Sequence, residues 1–371
     1  MKKATRRLKT LLYNVPSAPA LIWRRLSARL SYALCTVLDA RSAPPESINI
    51  YPTDRCNLNC TMCFEKLRPQ HTEMSIEDWR RIIHQIEKTK PRIHLSGGEP
   101  FVYTRIFDLI TLIKQRDLFL TITTNGTFLE QHAADIIRMN VNRIHISIDG
   151  PKEIHDAVRG VPGTFDRVIA GLHKLCALKK RALPVIRINS MINLTDPNAN
   201  RAVLDIAHET HAESVQLLHP LFVNSEALKT HAQLLKNTLG RDINYWHSAD
   251  VPYATPHDYK QIASTLEELQ TVTGTTVEIF PRLDPEQLKA YYTHDRSFTK
   301  LYRGACQAMW YTATILPNGD VESCPDYVVG NCRATDFREL WNNSIMRGLR
   351  KRIRRRRFFS VCRACCFYYS R

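Results

Sequence analysis

From residue 47 onward the chain alternates between short apolar runs and longer amphipathic stretches. Runs rich in β-branched and apolar residues recur at 48–51, 93–95, 118–123, 143–148, 185–192 and 214–218. Between them, apolar residues return at helical spacing over 76–88, 106–115, 129–139 and 165–178. The runs have the length of strands and the stretches that of helices. Six alternating β and α units predict an α/β fold with a parallel sheet and helices on its outer face.

The pattern changes at both ends. A helix over about 22–38 places Leu26, Leu30 and Ala33 on one side and basic residues on the other. Such a helix suits a membrane surface or the bottom of a barrel. Pro16, Pro19, Arg24, Arg25 and Arg29 break the apolar runs here, so neither reaches the roughly 18 residues of a membrane span. Near the C-terminus, strands at 311–316 and 321–324 flank Pro317-Asn318-Gly319-Asp320, a hairpin turn. A helix over 336–356 follows, with Leu340, Trp341, Ile345, Leu349 and Ile353 on its apolar stripe. The segment 221–303 holds a helix at 257–273 and a strand at 276–280, but no assignable motif.

Composition narrows the class. With 371 residues, 44% hydrophobic and 24% charged, the chain can bury a large core, as expected of a soluble enzyme. The formal charge is +16, and the excess gathers at the ends: Lys2, Lys3, Arg6, Arg7, Lys9, Arg24, Arg25 and Arg29, then Arg347, Arg350, Lys351, Arg352 and Arg354 to Arg357. Such clusters suit an anionic membrane, a nucleic acid or a phosphorylated substrate, or are simply solvated helix faces. Eleven cysteines at short spacings fit metal ligands in a reducing compartment better than disulfides. A cytoplasmic location follows, with peripheral membrane association as an open reading.

Cys56, Cys60 and Cys63 occupy the run Cys-Asn-Leu-Asn-Cys-Thr-Met-Cys, and Gly97-Gly98-Glu99-Pro100 comes after it. Three thiolates on a four-iron cluster leave one iron open to a small molecule; a zinc site is the competing reading of clustered cysteines. With its apolar Met62, the run resembles the Cys-x3-Cys-x-Φ-Cys signature of the radical S-adenosylmethionine superfamily. That resemblance implies a partial (β/α)6 barrel, a [4Fe-4S] cluster and S-adenosylmethionine cleaved reductively to a 5′-deoxyadenosyl radical. It also implies an electron donor such as flavodoxin or ferredoxin.

The same resemblance assigns cofactor-binding roles to Met62, Gly97, Gly98, Glu99, Pro100, Asn125, Ser147 and Arg159. These lie where strands end and loops begin, the place where barrel chemistry gathers. Thr123-Thr124-Asn125-Gly126 also reads as a turn. An arginine fork matches the methionine carboxylate, and both Arg159 and Arg167 are candidates for it. Asp149 is read as a turn cap.

Cys306, Cys324, Cys362 and Cys365 resemble the ligands of a SPASM or shortened twitch domain, which implies one auxiliary [4Fe-4S] cluster. Cys332 and Cys366 are spare, either being able to replace one of the four, and a structural zinc is the alternative for the set. Cys35 and Cys176 sit on apolar stretches and are read as buried side chains. Asp326 and Tyr327 are candidates for acid or base, against a plain polar turn.

The expected organisation is a basic extension over 1–45, a barrel core over 46–220, a substrate-specificity segment over 221–303 and a cluster domain over 304–371. The expected activity is hydrogen abstraction from a small, sugar-like or lipid-linked substrate, completed as an oxidation or bond formation with help from the auxiliary cluster. A maturase of a ribosomally made peptide is the alternative. An RNA-modifying enzyme is the second, without an appended RNA-binding module or aromatics among the basic residues. Nucleic acid is therefore not the expected partner.

Overall fold

The computed structural model describes residues 18–180, 182–221, 223, 225–246, 259–272, 274–293, 298–302 and 305–369. Lys2, Lys3, Arg6, Arg7, Lys9 and Pro16 lie outside the described residues, as do 257, 258 and 273 at the ends of an expected helix.

The strands are β1 (Ser47–Ile50), β2 (Arg92–Leu95), β3 (Leu120–Thr124), β4 (Arg143–Ser147), β5 (Val185–Met191), β6 (Ser214–Leu218), β7 (Thr276–Phe280), β8 (Thr312–Ile315), β9 (Asp320–Glu322) and β10 (Val328–Asn331). They form one sheet in the order β10-β9-β8-β1-β2-β3-β4-β5-β6-β7. From β1 to β7 each neighbour is parallel. The strand at 276–280 thus extends the six expected strands to seven. At the other edge β8 pairs in parallel with β1, and β9 and β10 continue the sheet antiparallel. The C-terminal hairpin is therefore continuous with the barrel wall. Its third strand, β10, was not legible in the spacing.

Helices α1 (Ala18–Ala33), α2 (Ile76–Ile86), α3 (Ile106–Lys114), α4 (Leu129–Arg138), α5 (Lys152–Arg159), α6 (Thr164–Leu178), α7 (Pro197–Glu209), α8 (Ser225–Leu239), α9 (Tyr259–Gln270), α10 (Pro285–Tyr292), α11 (Phe298–Leu301), α12 (Phe337–Leu340), α13 (Ser344–Arg356) and α14 (Cys366–Tyr369) complete the fold. Alternate strand residues such as Ile93, Ile122, Ile144, Ile146, Ile186, Ile188, Val215 and Leu217 are buried, as are Trp79, Ile82, Ile83 and Ile86 on α2. Each such side chain contributes about 1.5–3 kcal/mol on burial. Ser75 starts α2 with a capping box, its hydroxyl accepting from the Asp78 amide while Asp78 accepts from the Ser75 amide.

Two expectations at the ends are corrected. The single helix expected over 336–356 is broken into α12 and α13, because Asn343 caps the second by accepting from the Met346 amide. The phase shift puts Met346 in the core and leaves Ile345 on the surface. Helix α1 packs through Ala28 and Ser31, with Cys35 buried in the turn that follows, while Leu26, Leu30 and Ala33 face outward. Its Tyr32 ring meets Trp310 edge-on at 4.9 Å, just before the N-terminal end of β8. The barrel-bottom reading thus describes its inner face, with an apolar outer face left over.

Candidate active site

The first cysteine run leaves β1 and is fastened to its surroundings by backbone hydrogen bonds. The Gly98 amide donates to the Thr53 carbonyl at 3.1 Å and the Glu99 amide to Arg55 at 2.9 Å. On the far side, Asn59 and Thr61 donate to the Arg159 and Val158 carbonyls at the end of α5. Glycine is required at these contacts: a Cβ on Gly98 would stand 2.2 Å from the Arg55 oxygen, and one on Gly160 2.4 Å from that of Asn59.

A cavity of about 360 Å³ opens between this loop and the ends of β2, β3 and β4. That size is at the lower end of ordinary small-molecule sites. Cys56, Cys60, Met62 and Cys63 line it, with Gly97, Gly98, Glu99, Asn125, Ser147 and Arg159. Of the residues expected to meet the cofactor, Pro100 alone does not reach it; Pro100 is buried at the start of a 3-10 turn behind Glu99. Both Glu99 oxygens are engaged, accepting from Thr124 Oγ1 at 2.8 Å and from the amides of Asn125 at 2.7 Å and Phe101 at 3.2 Å. Burial nevertheless raises its pKa to about 7.

Donors converge on the thiols. Asn125 Nδ2 lies 3.8 Å from Cys56 Sγ and also donates to Asn57 Oδ1 at 2.9 Å. Arg159 Nη1 lies 3.8 Å from Cys60 Sγ, and its Nη2 pairs with Asp149 at 2.7 Å. Arg167 donates to the Gly163 carbonyl and does not line the cavity, whereas Arg159 does. Asp149 does more than cap a turn: it accepts from the Met191 amide at 3.0 Å and orients Arg159. Burial pushes the Cys56 thiol up to about 11, a cost that iron ligation or a nearby cation would offset.

The second cysteine set lies at the other end of the chain, with Cys306, Cys362 and Cys365 buried and Cys324 half-buried. The Cys324 thiol is raised first by burial and then by Cys365, Cys362 and Cys306, and Cys365 by burial and then by Cys366, Cys362 and Cys306. The four expected cysteines are therefore neighbours. Cys332 is not among them; it donates to the Gly319 carbonyl at 3.0 Å. Cys366 keeps solvent access, yet burial of its thiol raises it to about 11, and its charge is felt by Tyr51 and Tyr245. Among the described residues, no three Cys, His, Asp or Glu side chains close on one point as ligands of a single ion do.

Asp326 and Tyr327 have structural contacts instead of a place in the cavity. Asp326 Oδ1 accepts from the amides of Asn244 at 3.0 Å and Tyr245 at 2.9 Å. Tyr327 is fully buried and stacks on Phe359 with centroids 5.2 Å apart. Sequence reasoning missed Arg68, which bonds Glu322 through two contacts at 3.1 and 3.2 Å and lies 4.8 Å from the Tyr245 ring. Its partner lies 254 positions away, so spacing offered no signal.

Two family models match this chain: the radical SAM superfamily over residues 50–201 and an iron-sulfur cluster-binding domain, SPASM, over 306–366. The chain belongs to the radical SAM superfamily and carries a SPASM domain. It is an enzyme that uses a [4Fe-4S] cluster and S-adenosylmethionine, with auxiliary iron-sulfur chemistry in the SPASM domain.

The AdoMet-dependent heme synthase of Methanosarcina barkeri is 27% identical over 80% of this chain and 82% of that protein. The pre-heme d1 synthase of Dinoroseobacter shibae is 25% identical over 85% of this chain and 78% of that protein. Other matches of 30–33% identity span about a third of the relatives' length. Among solved structures, Streptococcus suis SuiB bound to S-adenosylmethionine shares the fold at 18% identity, with a TM-score of 0.64, covering 94% of this chain and 78% of that one.

Proposed function

We propose that Cys56, Cys60 and Cys63 hold the S-adenosylmethionine-binding cluster and that Cys306, Cys324, Cys362 and Cys365 hold one auxiliary [4Fe-4S] cluster. The observation that carries this reading is the shared cavity, where three thiols meet Gly97, Gly98, Glu99, Asn125, Ser147 and Arg159. When bound, the first cluster supplies the electron that cleaves S-adenosylmethionine to a 5′-deoxyadenosyl radical.

The chain's own groups account for orientation. Gly97 and Gly98 let the backbone approach the methionine amino end, because a side chain at either position would strike the cluster loop. Arg159, steadied by Asp149, presents a guanidinium edge beside Cys60, matched to the methionine carboxylate. Ser147 stands at the end of β4 within reach of the ribose side of the cavity.

The substrate is a small molecule that loses hydrogen and is then oxidised or forms a bond; an auxiliary cluster held by Cys306, Cys324, Cys362 and Cys365 would supply an electron acceptor. Relatives aligned over four fifths of the chain, named for heme and pre-heme d1 synthesis, support the small-molecule class. A flavodoxin or ferredoxin supplies electrons. The peptide-maturase alternative draws on the likeness to SuiB, a structure of which contains its precursor peptide. The test is electron paramagnetic resonance of the dithionite-reduced protein. A [4Fe-4S]⁺ component that shifts on adding S-adenosylmethionine and is missing from the C56A/C60A/C63A variant, in which the auxiliary-cluster signal remains, supports the reading; a signal unaffected by either change overturns it.

Peripheral membrane attachment is part of the proposal. No helix among the described residues is long and apolar enough to cross a membrane. Yet Trp23 is 72% exposed and Val37 79%, and Leu26, Leu30 and Leu34 are exposed with them on α1 and the turn that follows it. Exposed Arg25, Arg29 and Arg41 flank them, and Arg354 lies over Tyr32 at 4.6 Å, bringing the basic helix α13 alongside. Exposed apolar residues within a basic surround fit an anionic bilayer. Cosedimentation with phosphatidylglycerol vesicles tests it; equal recovery with L26E/L30E would refute it.

A further inference from the structure

The inside of the barrel is polar where a packed barrel carries bulky branched residues. Two contacts that skip a strand identify this concave face. The His94 ring on β2 meets that of His145 on β4 at 5.9 Å, and Arg187 on β5 reaches Glu278 on β7 at 3.9 Å. The branched residues between them, among them Ile144, Ile146, Ile186 and Ile188, belong to the buried core on the helix side.

Positive charge is in excess there. Arg187 Nη2 donates to His145 Nδ1 at 3.0 Å, so that nitrogen is an acceptor and Nε2 carries the proton. His145 is 6% exposed, and its Nε2 has no hydrogen-bond partner in the described structure. The neighbouring Arg143 destabilises the charge on Arg187, which burial already lowers to about 10. Among the described residues, Glu278 is the one carboxylate paired with Arg187, at a distance beyond hydrogen bonding and with its side chain 53% exposed. Two guanidiniums and an unpartnered N–H, largely removed from water, form a site that a buried anion would complete.

The cluster also connects with the catalytic cavity. Thr123, which lines that cavity, lies 2.7 Å from His94 Nε2 and 3.4 Å from His145 Nδ1. Ser147, another lining residue, is two positions beyond His145 on the same face of β4, about 7 Å along the strand.

We propose that the barrel lumen binds an acidic group of the substrate, a carboxylate or a phosphate, through Arg187, Arg143 and His145, with the reacting carbon at the cavity above. This deepens the radical SAM reading of that cavity and rests on it. The substrate class is a small organic acid or phosphate ester whose anionic group lies about 7 Å or more from the hydrogen removed. Such a contact fixes orientation while leaving the reacting end to the cluster side, the division of labour expected of remote binding groups.

The test is calorimetric titration of the anaerobic, cluster-loaded full chain with inorganic phosphate and, separately, with glutarate. Saturable binding of either, weakened about tenfold or more in R187Q and R143Q and partly restored in R187K, supports the site; which anion binds distinguishes the phosphate from the carboxylate source. Exposed R167Q serves as the control and binds as wild type. Equal binding by wild type, R187Q and R143Q, or binding of neither anion up to roughly 10 mM, overturns the proposal. If R187Q does not fold, R143Q and R187K decide. Because the readout is anion binding and not nucleoside cleavage, its failure is distinct from failure of the radical SAM reading.

Discussion

Arg68, on the loop after Cys63, forms a buried two-point ion pair with Glu322, two positions before Cys324, at 3.1 and 3.2 Å. Both side chains are about 95% inaccessible. Glu65 adds a second carboxylate at 3.0 Å from Arg68 Nε. The loop of the first cysteine set and the hairpin of the second are thereby tied to each other. Such a pair is weak evidence of net stabilisation but costly to break from one side, because the remaining charge stays buried.

R68M should therefore destabilise the iron-free protein by about 3–5 kcal/mol, and the double variant R68M/E322L should recover part of that loss. Anaerobic denaturation of the four proteins of the cycle measures it. A cost below about 1 kcal/mol for R68M would show that the tie is dispensable.

Gly98→Ala should weaken S-adenosylmethionine binding about tenfold or more, since the new Cβ would stand 2.2 Å from a backbone oxygen and displace the loop. Gly348→Ala, with nothing within 4 Å, should leave binding unchanged and firm α13 by roughly 1 kcal/mol. Equilibrium dialysis and thermal melts check the pair.

The two arginines after β4 should separate cleanly. R159Q is expected to lose S-adenosylmethionine affinity by about tenfold or more, whereas R167Q should stay within about twofold of wild type. Asp149→Asn should fall between them, because it removes the carboxylate that holds Arg159 at 2.7 Å.

His71 predicts a pH signature. Its hydrogen bond to Asp54, 2.7 Å from Nδ1, holds the imidazole pKa above the ordinary 6.5 despite partial burial. A group raised in the folded state gives stability that is complete below its unfolded pKa and lost as pH rises through the folded value. The melting difference between wild type and H71Q should be constant below pH 6.5 and shrink above it. A difference that grows with pH would reverse the assignment.

The strand and helix succession of the barrel was legible because period-2 and period-3.6 patterns are local. So were the three thiols and the Gly97-Gly98 approach, whose spacing is fixed within a loop. Pro100 illustrates a motif residue that shapes the backbone without facing the cavity. The break between α12 and α13 depends on one cap at Asn343, which periodicity overlooks. Arg68 with Glu322, and His145 with Arg187, were invisible because strand order, not sequence distance, brings them together. Asp326 looked chemical from its position after Cys324, but its Oδ1 accepts from the Asn244 and Tyr245 amides, outside the cavity.

The most direct measurement is iron, sulfide and nucleoside analysis of the anaerobically purified protein with dithionite and S-adenosylmethionine. About eight irons per chain are expected, with 5′-deoxyadenosine formed by the wild type and not by C56A/C60A/C63A, which should retain about four. About four irons in the wild type would remove the auxiliary cluster. Bound zinc with no nucleoside released would contradict the account at its centre.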